Sequence, residues 1–192
     1  HFIIHIFPTG EASHEIVEKS LKALCNLEHR GASGADPETG DGAGLLIQIP
    51  HDFFRNELKS SFPNLSNGNY GTGILFCGKT DNDQLVVKKM FENCVSKQNL
   101  KVVAWRNIPI APSKIGKTAR EIMPKIQQVF VGNYNNEQIE NIEQKLFIIR
   151  KNFEKKVIEK FNSEIKDLIY VCSLSSTKIV YKGLLTSEQV RE

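Results

Sequence analysis

The chain has 192 residues, 40% of them apolar and 24% charged, a balance suited to one globular domain or part of a larger one. Its 25 basic and 22 acidic residues leave a formal charge of +3 and a pI of about 8.6, spread without a basic block, which argues against nucleic acid as a partner. No apolar run reaches the roughly 18 residues that span a bilayer, and "HFIIHIFPTG" lacks the basic flank of a signal peptide, so a cytoplasmic protein is expected, with no membrane partner.

In chain order, "HFIIHIF" reads as a buried strand and "PTGEAS" as the turn after it. Ser13 is placed to cap a helix with Glu15 in its first turn, and Val17, Leu21, Leu24 and Leu27 recur at helical spacing. Gly31 is placed to stop that helix after "EHR". Between Gly31 and Gly44 five glycines occur and no period holds.

"LLIQIP" reads as a strand ended by Pro50, and "HDFFRNELKSSF" as a short helix with Phe53, Phe54 and Leu58 inward. "YGTGILFC" is a second strand, and "DNDQLVVKKMFENCVSKQ" a helix burying Val87, Met90 or Phe91, and Cys94. "LKVVAWRNIPIAP" returns as a strand. "QQVFVG", "KLFIIR", "DLIYVCSL" and "TKIVYKG" are β-rich runs, with helices expected at 116–123 and 151–162. The last two runs, separated by "SST", predict a hairpin, and Thr186 with Gln189 predicts a capping box. "GNYNNEQIENIEQK" is the most polar segment and reads as an exposed insertion. Strands partly adjacent and partly separated by helices favour an α/β sandwich with antiparallel pairing.

The four cysteines, Cys25, Cys77, Cys94 and Cys172, have no metal-ligand spacing and read as buried free thiols. His5 and His29 read as packing histidines. The glycine-rich connection is open to several readings. A phosphate loop would need glycines that open a helix after a strand, and here they precede one. A calcium loop could use Asp36, Glu38 and Asp41, but their spacing lacks the alternating ligand pattern. The plainer reading is tight turns, with Asp36, Thr39 and Asp41 bonding their own backbone.

The stretch "NLEHRGASGADPETGDGAGLLIQIPHDFF" resembles the type II glutamine amidotransferase domain that opens the large (alpha) subunits of glutamate synthases. The likeness joins His-Arg-Gly, "GADPETGDGAG", a strand and "IPHDFF" in one order. It continues through "YGTGILF", "WRNIP", "QVFV", "KLFIIRK" and "YVCSLSSTKIVYKGLLTSEQV", weakening at 133–145.

The resemblance implies an α+β fold, the four-layer αββα sandwich of N-terminal nucleophile (Ntn) hydrolases, with residues 1–192 as the front part of the domain. It implies a nucleophilic cysteine three residues before His1, since the family start Cys-Gly-x-Gly-Phe aligns its Phe with Phe2. It places the Asn-Gly oxyanion hole and the residues that hold the glutamine backbone beyond Glu192. The chain is therefore expected to be a fragment, inactive by itself, with no catalytic residue and no metal site of its own.

Arg30 and Gly31 are implied as a wall of the substrate pocket, and Gly34, Asp36, Gly40, Asp41, Gly42 and Gly44 as a structural loop beside it. Tyr181, Lys182 and Gly183 match the family without an evident task. The implied parent splits glutamine and passes the ammonia to 2-oxoglutarate, using FMN, an iron–sulfur (3Fe-4S) cluster and NAD(P)H or ferredoxin. Its implied partners are the synthase domains of the same polypeptide and a small NADPH-oxidising subunit. A type II amidotransferase of another pathway stays open, as does a non-catalytic interaction domain, to which His1 in place of glycine lends weight.

Overall fold

The computed structural model of the protein describes residues 13–26, 36–59, 67–133 and 138–191. In chain order the elements are α1 (His14–Asn26), β1 (Ala43–Gln48), α2 (His51–Glu57), β2 (Tyr70–Cys77), α3 (Asp81–Ser96), β3 (Lys101–Asn107), α4 (Lys117–Ile122), β4 (Ile126–Gly132), α5 (Ile142–Lys160), α6 (Ser163–Lys166), β5 (Ile169–Ser175), β6 (Lys178–Gly183) and α7 (Ser187–Arg191). The expected first strand, and the glycine expected to end α1, lie outside the described residues. The described chain divides into two units, one of residues up to Leu45 with Ile110–Ile122 and those from Lys182, the other of Leu46–Pro109 and Met123–Tyr181.

The larger unit is built on a four-stranded antiparallel sheet in the order β3-β4-β2-β5. Its two central strands are apolar on both faces because both faces are covered, so the half-buried alternation of an open sheet is absent. Leu75, Val129, Val131 and Val171 point to one side, where α3 and α5 lay down Val87, Phe91, Cys94, Leu146, Ile149 and Phe153. Tyr70, Ile74, Phe130 and Cys172 point to the other, where they meet Phe54 and Leu58 of the α2 segment and Ile179 of β6. β1, from Leu46 on, and β6, up to Tyr181, lie in this unit, and the two strands pair as a second sheet. The architecture is thus a mixed α/β stack of helices, one sheet and a second sheet. Thr80 starts α3 with a capping box, its hydroxyl accepting from the Asp83 N–H while Asp83 accepts from the Thr80 N–H, both at 3.0 Å.

Five expectations are corrected. "KLFIIR" lies inside the single helix α5, which also absorbs the helix expected at 151–162. Its buried positions Leu146, Ile149, Phe153 and Val157 keep helical spacing over three turns, a period that a six-residue window cannot show. The helix leaves Phe147 60% exposed. Phe53 is likewise exposed, its ring covered by the Arg106 guanidinium at 5.3 Å, while Phe54 next to it is fully buried. The polar insertion is not wholly exposed: Ile139 is buried, and from Ile142 the segment is helix α5. Cys25 is only half-buried, unlike the other three thiols.

The fifth concerns the hairpin. β5 pairs with β2 and β6 with β1, so these neighbours in sequence belong to different sheets. Between them side chains replace a ladder: the Val180 N–H donates to Ser173 Oγ at 3.1 Å, and the Cys172 thiol donates to the Val180 carbonyl. The turn is held from α5, where Glu143 Oε1 accepts from the Ser175 hydroxyl at 2.9 Å, the Ser176 hydroxyl at 2.7 Å and the Ser176 N–H.

Burial works to raise the Glu143 carboxyl, but the bonds from Ser176 and Ser175 outweigh it and hold it below the ordinary range. A depressed folded pKa contributes stability that is present above the unfolded value and lost as pH falls through the folded one. Glu143→Gln is therefore expected to destabilise the protein at pH 7 and to narrow its gap to the parent as pH falls below about 4.5. Urea unfolding across that range checks this, and a gap constant with pH would refute it.

Candidate functional site

The described part of the glycine-rich connection is ordered by its own polar side chains and by two helices of the smaller unit. Asp36 Oδ1 accepts from the Glu38 N–H at 3.2 Å, the Asx turn expected from the sequence. Asp36 Oδ2 accepts from the Thr39 hydroxyl at 2.8 Å and from the Thr118 N–H of α4 at 2.9 Å. Thr39 Oγ1 in turn accepts from the Ala119 N–H at 3.2 Å. The bonds from Thr118 and Thr39 hold the Asp36 carboxyl below its ordinary pKa.

From the other side, the Gly116 N–H donates to the Glu38 carbonyl at 3.0 Å, and Gln189 Nε2 donates to the carbonyls of Glu38 at 2.9 Å and Lys114 at 3.0 Å. The same Gln189 closes the expected capping box with Thr186. Gly40 lies so close to Leu185 that a Cβ would sit 2.1 Å from its carbonyl oxygen. Gly42 follows with φ +120°, a conformation that side chains rarely adopt. Asp41 is exposed beside it, and Gly44 already lies in β1. Arg30, Gly31 and Gly34, with His29, lie outside the described residues.

A second polar group, in the larger unit, crosses the apolar layer beneath β6. Gln128, fully buried, donates from Nε2 to Thr72 Oγ1 at 3.1 Å and accepts on Oε1 from Arg106 at 3.2 Å. Arg106 pairs with Glu57 through both Nε and Nη2 at 2.9 Å. Tyr181 joins the group: burial raises its phenol, while the Arg106 charge and a hydrogen bond with Gln128 act against that. This gives Tyr181 a structural task, tying the second sheet to the first through a polar network that has to be satisfied because it is buried. Sequence reading missed Arg106 and Gln128. Their signal was a glutamine inside a strand buried on both faces and an arginine near the end of an otherwise largely apolar edge strand. At the far end of the same layer, His51 Nδ1 and the Tyr70 hydroxyl share a hydrogen bond of 2.7 Å, and burial lowers the imidazole pKa.

None of the three buried thiols has the character of a nucleophile. Burial pushes Cys77 up to about 12 and raises Cys94, and Cys172 is bonded to a backbone carbonyl. Nor do they fit an iron–sulfur cluster: Cys77 and Cys94 lie in one core and Cys172 in the other, across the sheet. Among the described residues no group of three or more His, Cys, Asp and Glu could hold a metal ion, and no helix is long and apolar enough to cross a membrane. With its oxygens engaged by Glu38, Thr39 and Thr118, Asp36 is a structural acceptor, which removes the calcium-loop reading.

The family model of class-II glutamine amidotransferases matches residues 1–192, and the chain belongs to that family. Among curated proteins it is 41% identical over 184 residues to the glutamate synthase [NADPH] large chain of Bacillus subtilis (strain 168), covering 94% of this chain and 12% of that one. It is 42% identical over 178 residues to ferredoxin-dependent glutamate synthase 1, chloroplastic/mitochondrial, of Arabidopsis thaliana, covering 92% and 11%. To the glutamate synthase [NADPH] large chain of Azospirillum brasilense it is 34% identical over 182 residues, covering 94% and 12%. The chain thus spans only about an eighth of the length of these relatives.

Proposed function

We propose that the chain is the front part of the glutaminase domain of a glutamate synthase large subunit. The observation that carries this reading is the 41–42% identity, over more than nine-tenths of the chain, to glutamate synthases that differ in the electron donor their names print. The stack of helices and two sheets then supplies three layers of an αββα sandwich of the Ntn type.

In this reading a cysteine three residues before His1 attacks the side-chain amide carbon of glutamine, its own α-amino group taking the thiol proton. The C–N bond breaks, the amide nitrogen leaves as ammonia with that proton, and a γ-glutamyl thioester remains for water to hydrolyse. Arg30 and Gly31 form a wall of the pocket, and arginine suits it because its planar fork of donors stays charged. The segment from Gly34 to Gly44, with Asp36, Gly40, Asp41 and Gly42, supports that wall. The oxyanion hole comes from residues beyond Glu192.

The ammonia would pass within the polypeptide to a site that condenses it with 2-oxoglutarate and reduces the product to glutamate. FMN and a 3Fe-4S cluster would serve that site, fed by NAD(P)H or ferredoxin, and a small NADPH-oxidising subunit would be the partner in the first case. The thiols described above do not fit the cluster, and on this reading both groups would be held by other domains of the polypeptide. A cytoplasmic location is part of the same proposal.

The test has two parts. The three codons before His1 should begin with an in-frame cysteine; its absence would sink the catalytic reading. The polypeptide extended at both ends should release ammonia from glutamine. Residues 1–192 alone, without a nucleophile and without an oxyanion donor worth roughly 3 kcal/mol, should release none above background.

A further inference from the structure

Helix α5 is apolar on two opposite sides. Leu146, Ile149, Phe153 and Val157 face the core, as one side of a covered helix must. Phe147, Ile148 and Ile158 lie on the other side, 60%, 42% and 68% exposed. At about 100° per residue, Phe147, Lys151 and Ile158 fall within about 40° of one another around the axis, one stripe about three turns long. The Lys151 ammonium lies 5.9 Å from the centre of the Phe147 ring, and Lys151 and Lys155 are paired beside the stripe with Glu154 at 2.9 Å and Glu159 at 3.9 Å. On the neighbouring helix Leu85, about half a turn round α3 from Val87 and Cys94, is 60% exposed as well. Single apolar side chains at a surface are ordinary, but a helix with its largest exposed apolar groups lined up opposite its core face is shaped to be covered twice.

We propose that the outer stripe of α5 is a docking surface for another domain of the same polypeptide, one whose facing surface is apolar and bordered by carboxylates. This rests on the reading above, in which the chain is the front part of a glutamate synthase large subunit. The relatives at 41–42% identity are so long that the chain spans only 11–12% of them, so on that reading most of the polypeptide is available to cover this face. Charge selects among occupants. Helix α5 holds six basic residues against three acidic ones, so a second copy packed on the same helix would set like charge against like. A surface carrying carboxylates meets that excess instead, with Phe147 and Ile158 in the dry centre and Lys151 and Lys155 at the wet rim.

The experiment is zero-length carbodiimide cross-linking of the full-length polypeptide, with the joined peptides read by mass spectrometry. Lys151 and Lys155 are expected to couple to Asp or Glu side chains of the same polypeptide beyond residue 192. Mixing light and 15N-labelled polypeptide tells the occupants apart: mixed-isotope pairs at these lysines would mean a second copy, and partners confined to residues 1–192 would mean no docked domain. Either result overturns the proposal. Phe147→Glu and Ile158→Glu each put a charge into the dry centre and should lower the yield of the long-range cross-links about fivefold. Ile122→Glu, at an exposed isoleucine of α4, is the control and should leave it within about twofold. Yields that stay at the parental level in both α5 variants, or that fall as far in the control, also overturn it. So does flotation of the unmutated polypeptide with phosphatidylserine-containing vesicles that Ile158→Glu abolishes, since the stripe would then face lipid. Ammonia release from glutamine is measured on the same unmutated sample. Release without the long-range cross-links removes the docking surface alone, whereas no release removes the reading beneath it and the proposal with it.

Discussion

Gly40→Ala is expected to destabilise the protein by about 3 kcal/mol, more than Gly42→Ala, the other glycine of this connection whose surroundings are described. The added Cβ would sit 2.1 Å from the Leu185 carbonyl oxygen, 2.4 Å from its carbon and 2.6 Å from the Thr186 nitrogen. All three are backbone atoms, so no side chain can swing aside to make room. The strand end or the turn into α7 has to move, and moving it disturbs the Thr186–Gln189 capping box and the bonds from Gln189 to Glu38 and Lys114. Gly42→Ala is the comparison. There the nearest foreign atom is 3.7 Å away, and the cost comes from φ +120° alone, about 1–2 kcal/mol. Urea unfolding of the two variants separates the mechanisms, and equal losses would show that the Leu185 contact is not as close as described.

Phe91→Ala is expected to cost about 4 kcal/mol, because it empties the centre of the core between α3, α5 and the sheet. Its fully buried ring meets Phe153 edge-on with centroids 5.4 Å apart and Trp105 at 6.0 Å, and both contacts are lost together. The surrounding side chains come from rigid elements on three sides, so the cavity cannot collapse fully. Phe53→Ala removes the same group from a site 47% exposed, where the ring mainly carries the Arg106 guanidinium. It should cost about 1 kcal/mol. Similar losses for the two phenylalanines would contradict the burial pattern of α2 and α3.

The two substitutions also mark how far a linear reading could reach. The face of α3 was legible because Val87, Phe91 and Cys94 repeat at helical spacing inside one element, where local geometry decides which side chains share a side. Phe53 and Phe54 were not separable in the same way. In a helix of seven residues two adjacent phenylalanines both fit a short apolar face, and only the position of β4, whose Phe130 ring meets Phe54 at 5.1 Å, decides which one is covered. "KLFIIR" failed because a short apolar run is compatible with strand and helix alike, and the burial of Phe153 and Val157 further along settles it.

The expected site divides along the same line. The order of motifs, from His-Arg-Gly through "GADPETGDGAG" to "IPHDFF", was enough to reach the class-II glutamine amidotransferases, since chemistry shared by a family is written in residue types and spacing. The turn of Asp36 onto Glu38 was also readable, as a bond over two residues needs no tertiary partner. What Asp36 and Thr39 do beyond that turn was not, because their acceptors meet N–H groups some 80 residues away. The same holds for Tyr181, which gains its task only when β6 leaves its neighbour β5 for a different sheet and brings the phenol to Gln128. Local periodicity, caps and motif order were determined by the sequence alone. Which glycine touches backbone, which carboxylate caps which helix and which strands pair were decided by tertiary structure, because those energies arise between segments that meet only when the chain folds.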